Sequence, residues 1–143
     1  MRYWRTIGLA VGLVLVLTTG AYAAPPTVNL RAYTPSPQPG VYALCAADIT
    51  ASRDVQRLLV SVACQERDLD GTGWHNVGGS PPASDCNDCS YEAVADSPLC
   101  SQFQHRGLFQ IRTKADGFYV TYNGIRHDKA AEYSNTDIMK CPR

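Results

Sequence analysis

The chain has 143 residues, with 13 Lys and Arg against 13 Asp and Glu, and six cysteines. A neutral chain of this length suits one domain and lacks the basic excess that marks nucleic-acid binders, so no nucleic-acid partner is expected. The even cysteine count points instead to a disulfide framework.

Residues 1–23 read as a signal peptide. Met1-Arg2-Tyr3-Trp4-Arg5 is a basic n-region, Ile7 to Leu17 an apolar run and Ala21-Tyr22-Ala23 an A-x-A cleavage signal. The apolar run falls short of the roughly 20 residues that cross a bilayer, and no second run follows, so a secreted, extracellular protein without a membrane anchor is expected. Removing 23 of 143 residues leaves 120, from Ala24 to Arg143, with 11 Lys and Arg against 13 Asp and Glu.

The segment 24–40 is rich in proline, with Pro25-Pro26 at its start and Pro35, Pro37 and Pro39 near its end. Proline excludes helix and is tolerated at sheet edges, and Thr27 to Tyr33 alternates apolar with polar, which predicts an edge strand. A single β domain is expected over 41–143. Val41, Ala43, Cys45, Ala47 and Ile49 share one parity and predict a second strand, followed by a turn at Ser52-Arg53-Asp54. The clearest strand is Arg57 to Arg67, where Leu58, Val60, Val62 and Cys64 share one face. Asp70-Gly71 with Gly73 predicts a hairpin loop with residues at positive φ, leading to a returning strand at Trp74 to Val77.

Gly78 to Asp85 reads as loop, and Cys86 to Cys100 as a cysteine-stapled loop outside the core. Phe103 to Arg112 alternates as a long strand, Lys114-Ala115-Asp116-Gly117 is a hairpin signal, and Phe118 to Tyr122 is the returning strand before a turn at Asn123-Gly124. Asp128 to Tyr133 suggests a short helical turn before Cys141 pins the terminus. Six or seven short strands separated by turn signals predict an all-β fold: a small disulfide-stabilised antiparallel β-sandwich, immunoglobulin-like in topology, with a small barrel as second choice.

Three features invite chemistry. Glu66, Asp68 and Asp70 precede Gly71 as calcium ligands would, but position 12 of an EF-hand alignment is Val77 where a bidentate Glu is needed, so a hairpin turn is the better reading and no metal or other cofactor is expected. Cys86-Asn87-Asp88-Cys89 matches C-x-x-C, yet no βαβ pattern surrounds it and the chain is exported, so all of Cys45, Cys64, Cys86, Cys89, Cys100 and Cys141 are read as structural. Among the many pairings six cysteines allow, Cys45 and Cys64 point to core faces, Cys100 is near enough in sequence to Cys86 or Cys89 to pair with either, and Cys141 takes what remains. Thirdly, polar Arg106, Gln110, Arg112 and Lys114 share one parity with an outward Tyr119 beside them, a composition able to contact sugars, peptides or acidic surfaces.

The function expected is therefore a secreted non-catalytic binding or interaction domain for an extracellular protein or carbohydrate, with Tyr91, Arg106, Arg112 and Tyr119 as candidate ligand contacts. A small phosphodiesterase-like hydrolase using His105 or His127 is one alternative. A secreted inhibitor or toxin acting through the rigid Cys86–Cys100 segment is another.

Overall fold

The computed structural model describes residues 23–143, so the signal-peptide reading falls outside the described residues but for Ala23. Eight strands form the fold: β1 (Val28–Gln38), β2 (Tyr42–Arg67), β3 (His75–Asn76), β4 (Ala83–Asp96), β5 (Gly107–Val120), β6 (Arg126–Asp128), β7 (Glu132–Tyr133) and β8 (Asp137–Cys141). Every strand pair is antiparallel.

The two strands expected over 41–50 and 57–67 are one strand, β2, that doubles back on itself. Cys45 and Cys64 are bridged with their Cα atoms 5.6 Å apart, whereas 19 residues of straight strand would separate them by about 60 Å. The bend falls between Thr50 and Val55, where the register against β4 shifts. The residues read as a turn, Ser52 to Asp54, are thus a corner within a continuous strand. Core parity changes across the corner, from Ala43, Cys45, Ala47 and Ile49 before it to Leu58, Val60, Val62 and Cys64 after it. Both sets face inward because the strand folds over them.

Before the corner β2 pairs with β1 and after it with β5, while β4 follows along the opposite edge through both halves. The result is the expected antiparallel β-sandwich, its two layers continuous through β2 and β4. β1 and β4 pair with β2 alone, so the sheet stays open rather than closing into a barrel. The edges are blunted: β1 carries Pro35 within a register shift between Tyr33 and Ser36 and Pro37 just beyond it, and β4 carries Asp85, Asp88, Glu92 and Asp96 with no basic residue.

Four sequence expectations are corrected here. Most of Cys86 to Cys100 is strand, bent in step with β2. Cys86 and Cys89 are bridged at the bend, Asp88 there has φ 49°, and Ser84 donates to Glu92 across it at 3.0 Å. Cys100 pairs with Cys141 instead of Cys86 or Cys89. Lys114 to Gly117 is strand interior and no hairpin. Gly117 is opposite Val60, and a Cβ there would lie 2.8 Å from the Leu59 carbonyl and 3.2 Å from both Leu30 and Ile49. Small residues at this point let the layers approach. The helical turn expected after Asp128 is replaced by β6, β7 and β8, which pair with β5 in succession.

Turns elsewhere follow their residues. Val41 N–H donates to the Gln38 carbonyl at 3.0 Å around Pro39-Gly40, with Gly40 at φ 79°, the signature of a type II turn. Asn123-Gly124 turns β5 into β6 as expected, with Gly124 at φ 80°. The hairpin from β2 to β3 also forms, with Gln65 opposite Asn76, but without the positive φ expected at its glycines.

Two stability predictions follow from this packing. Replacing cysteine pairs by alanine costs most for Cys100/Cys141, about 4 kcal/mol, then about 3 for Cys45/Cys64 and about 2 for Cys86/Cys89, because closed-loop length sets the entropy removed from the unfolded chain; urea midpoints compared at constant slope test this order. Gly117→Ala destabilises by about 1–3 kcal/mol through overpacking against Leu59, measured in the same way.

Candidate binding face

After the corner, odd-numbered residues of β2 point outward, and antiparallel register sets each beside an even-numbered residue of β5. Gln65 is opposite Arg112 and Arg67 opposite Gln110, while Asn76 of β3 flanks Gln65 on its other side. These neighbours are joined by hydrogen bonds. Arg112 Nε donates to Gln65 Oε1 at 2.8 Å, Arg67 Nε donates to Gln110 Oε1 at 2.6 Å, and Gln65 Nε2 donates to Asn76 Oδ1 at 2.8 Å.

Aromatic rings complete the arrangement. Trp74, delivered by the hairpin loop, lies with its ring centroid 4.4 Å from the Arg67 Cζ and 4.3 Å from the Arg112 Cζ, and Tyr133 of β7 lies 4.2 Å from the same Arg112 Cζ. Each such contact contributes about 0.5–1 kcal/mol at an exposed site. The stack therefore ties β2, β3, β5 and β7 together while holding both guanidinium planes in place.

The chemistry lies in what the arginines lack. Both are anchored through Nε by neutral amides, their terminal nitrogens make no hydrogen bond among the described residues, and neither has a carboxylate oxygen within 4.0 Å. Burial lowers the Arg112 pKa below the usual arginine value, and the like charge of Arg67 lowers it further against an opposing effect of Tyr133. The guanidinium stays charged, since arginine begins so far above neutral pH. Two oriented, uncompensated cations with free donors form a site for anionic groups.

The four candidate contacts read from the sequence are not brought together. Arg112 is central to this face. Arg106 turns back to its own segment, donating to the carbonyls of Cys100, Phe103 and His105. Tyr119, expected to face outward, is opposite Leu58 on the inner parity, packs against the core and stacks on His127 at 4.7 Å. Tyr91 is on the outer face of the other layer, beside a cavity of about 390 Å³ that it lines with Tyr33, Asp48 and alanines. At that cavity Asp48 accepts from Arg31 at 2.9 and 3.0 Å and from the Tyr33 hydroxyl, hydrogen bonds that raise the pKa of both donors. Its carboxylate is already engaged by the fold.

The histidines are also dispersed. His105 Nδ1 lies 2.9 Å from buried Glu66 and Nε2 lies 3.1 Å from Asp68, and Glu66 also accepts from the backbone N–H of Gln104 at 2.7 Å. Both ring nitrogens are thus taken, and two of the three carboxylates weighed for calcium are drawn to this histidine. His127 is opposite Tyr119, eight residues along β5 from the partner of Glu66, or about 26 Å away.

No protein-family model and no curated protein matches the sequence. Among solved structures, the chain is similar to AggA, the major subunit of aggregative adherence fimbriae type I from Escherichia coli, at 8% identity and a TM-score of 0.45, over 82% of this chain and 94% of that one. A likeness at that level bears on neither site nor activity.

Trp74 reports on this face directly, because the other tryptophan, Trp4, precedes Ala24. In the chain from Ala24 to Arg143, Arg112→Ala removes the cation from the indole and shifts its emission to the red, at a stability loss of about 1–2 kcal/mol for the stacked contacts. An unchanged spectrum would show that the ring is not held by Arg112.

Proposed function

We propose that this protein is a secreted, non-catalytic extracellular binding domain whose ligand contacts the face formed by Arg67, Trp74, Arg112 and Tyr133. The observation that carries this reading is the pair of guanidiniums fixed by Gln65 and Gln110 with no carboxylate partner among the described residues. Like charges held side by side repel, and a structural stack gains nothing from leaving both unneutralised. An anionic ligand supplies the missing charge. Three disulfides support an oxidising, extracellular setting. A hydrolytic reading lacks a group to act: His105 has both nitrogens engaged and His127 is stacked on Tyr119.

The test is an array printed with extracellular-matrix proteins and with neutral and acidic glycans, probed with the chain from Ala24 to Arg143. Wild type binds a subset of acidic members, and Arg67→Gln with Arg112→Gln loses those signals while keeping its melting temperature within a few degrees. Equal signals from both proteins would overturn the assignment of the face.

A further inference from the structure

We propose that the ligand of this face is a linear anionic polysaccharide lying along β5, a reading that rests on the binding face just described and extends it. From Arg112 the outward positions of β5 continue through Lys114 and Asp116 to Phe118, a run of about 20 Å. At the Phe118 end the arrangement recurs, with Arg57 and Arg126 placing their Cζ atoms 5.7 and 3.7 Å from the ring centroid. A notch of about 300 Å³ opens beside it, lined in part by Ser61, Asp116, Phe118 and Lys129.

Charge along this strip is uneven. Arg57, Lys114 and Arg126 are each paired, with Asp85, Asp116 and Asp128 respectively. Arg67, Arg112 and Lys129 have no carboxylate within 4.0 Å among the described residues. The strip is therefore cationic at both ends on a chain whose segment from Ala24 carries more acid than base. A ligand neutralising all three must carry anionic groups repeated over about 20 Å.

Two features select a polysaccharide over an acidic peptide. β5 is paired on both edges, with β2 on one side and β8, β7 and β6 on the other, so an extended peptide finds no free backbone to pair with. The surface is a sheet face bearing aromatic rings and side-chain amides, which match the apolar faces and hydroxyls of pyranose rings. Sulfate or carboxylate groups on those rings then take the terminal nitrogens of Arg67 and Arg112 and the ammonium of Lys129.

Calorimetry with dextran sulfate, neutral dextran and polyglutamate as probes tests this on the chain from Ala24 to Arg143, with amide and indole shifts of the labelled protein locating the contact. Dextran sulfate binds and shifts Trp74 and residues near Lys129, neutral dextran does not bind, and polyglutamate binds more weakly. Arg67→Gln with Arg112→Gln weakens dextran sulfate by about ten-fold or more, and Lys129→Gln by about three-fold. Polyglutamate binding as tightly as dextran sulfate would overturn the polysaccharide in favour of an acidic protein. An unchanged affinity in Lys129→Gln, with the double-arginine loss intact, would overturn the strip but leave the binding face standing. If the double variant binds as wild type does, both fall. Shifts confined to other surfaces in the wild-type protein overturn the proposal even where a variant misfolds.

Discussion

The structure depends on β2 folding back over its own apolar residues. A strand of 26 residues is several times the usual length, and left straight it would expose both of its core sets to solvent. The Cys45–Cys64 bridge joins its two halves across the core, as the inter-sheet bridge of an immunoglobulin-like sandwich joins two separate strands. Around that bridge Ile49, Leu58, Val60, Val62, Phe109 and Ile111 are buried together. β4 must bend where β2 bends, and Cys86–Cys89 closes its corner. Gly117 lets β5 come close enough to complete the sandwich.

The same fold-back creates the face that carries Arg67 and Arg112. Once the inner parity of β2 is committed to the core, Gln65 and Arg67 have only the outer side left to them. Register with β5 then makes each arginine the neighbour of a glutamine instead of a carboxylate. Nothing in local propensity asks for this. It arises from the pairing of two strands more than 40 residues apart, with a loop-borne tryptophan placed over the result.

Buried charge is handled differently on the inner side. Glu66 continues the inward parity of Cys64, and its carboxylate is met by two backbone donors and His105 from the segment that precedes β5. A carboxylate taken out of water requires such partners, so Phe103 to Arg106 is held against the sheet in place of continuing the strand. The protein thus uses charge twice: inside, structural and held through one carboxylate oxygen while Glu66 Oε2 has no hydrogen-bond partner among the described residues, and outside, left unneutralised at the surface.

Some of this was legible in the residues alone. Alternation from Leu58 to Cys64, the Asn123-Gly124 turn, the β2 to β3 hairpin, the antiparallel sandwich class and the engagement of all six cysteines are local or compositional signals, and they survive folding because burial enforces period 2. Arg112 was legible as an outward polar residue for the same reason. Other properties were decided only in three dimensions. A bend and a turn carry the same polar residues, so Ser52 to Asp54 could not announce a corner. Glycine serves both turns and close approach, so Gly117 looked like a hairpin. Cysteine pairing, the inward turn of Tyr119 and the meeting of Arg67, Trp74, Arg112 and Tyr133 depend on contacts between segments distant in the chain, and only the tertiary fold brings those segments together.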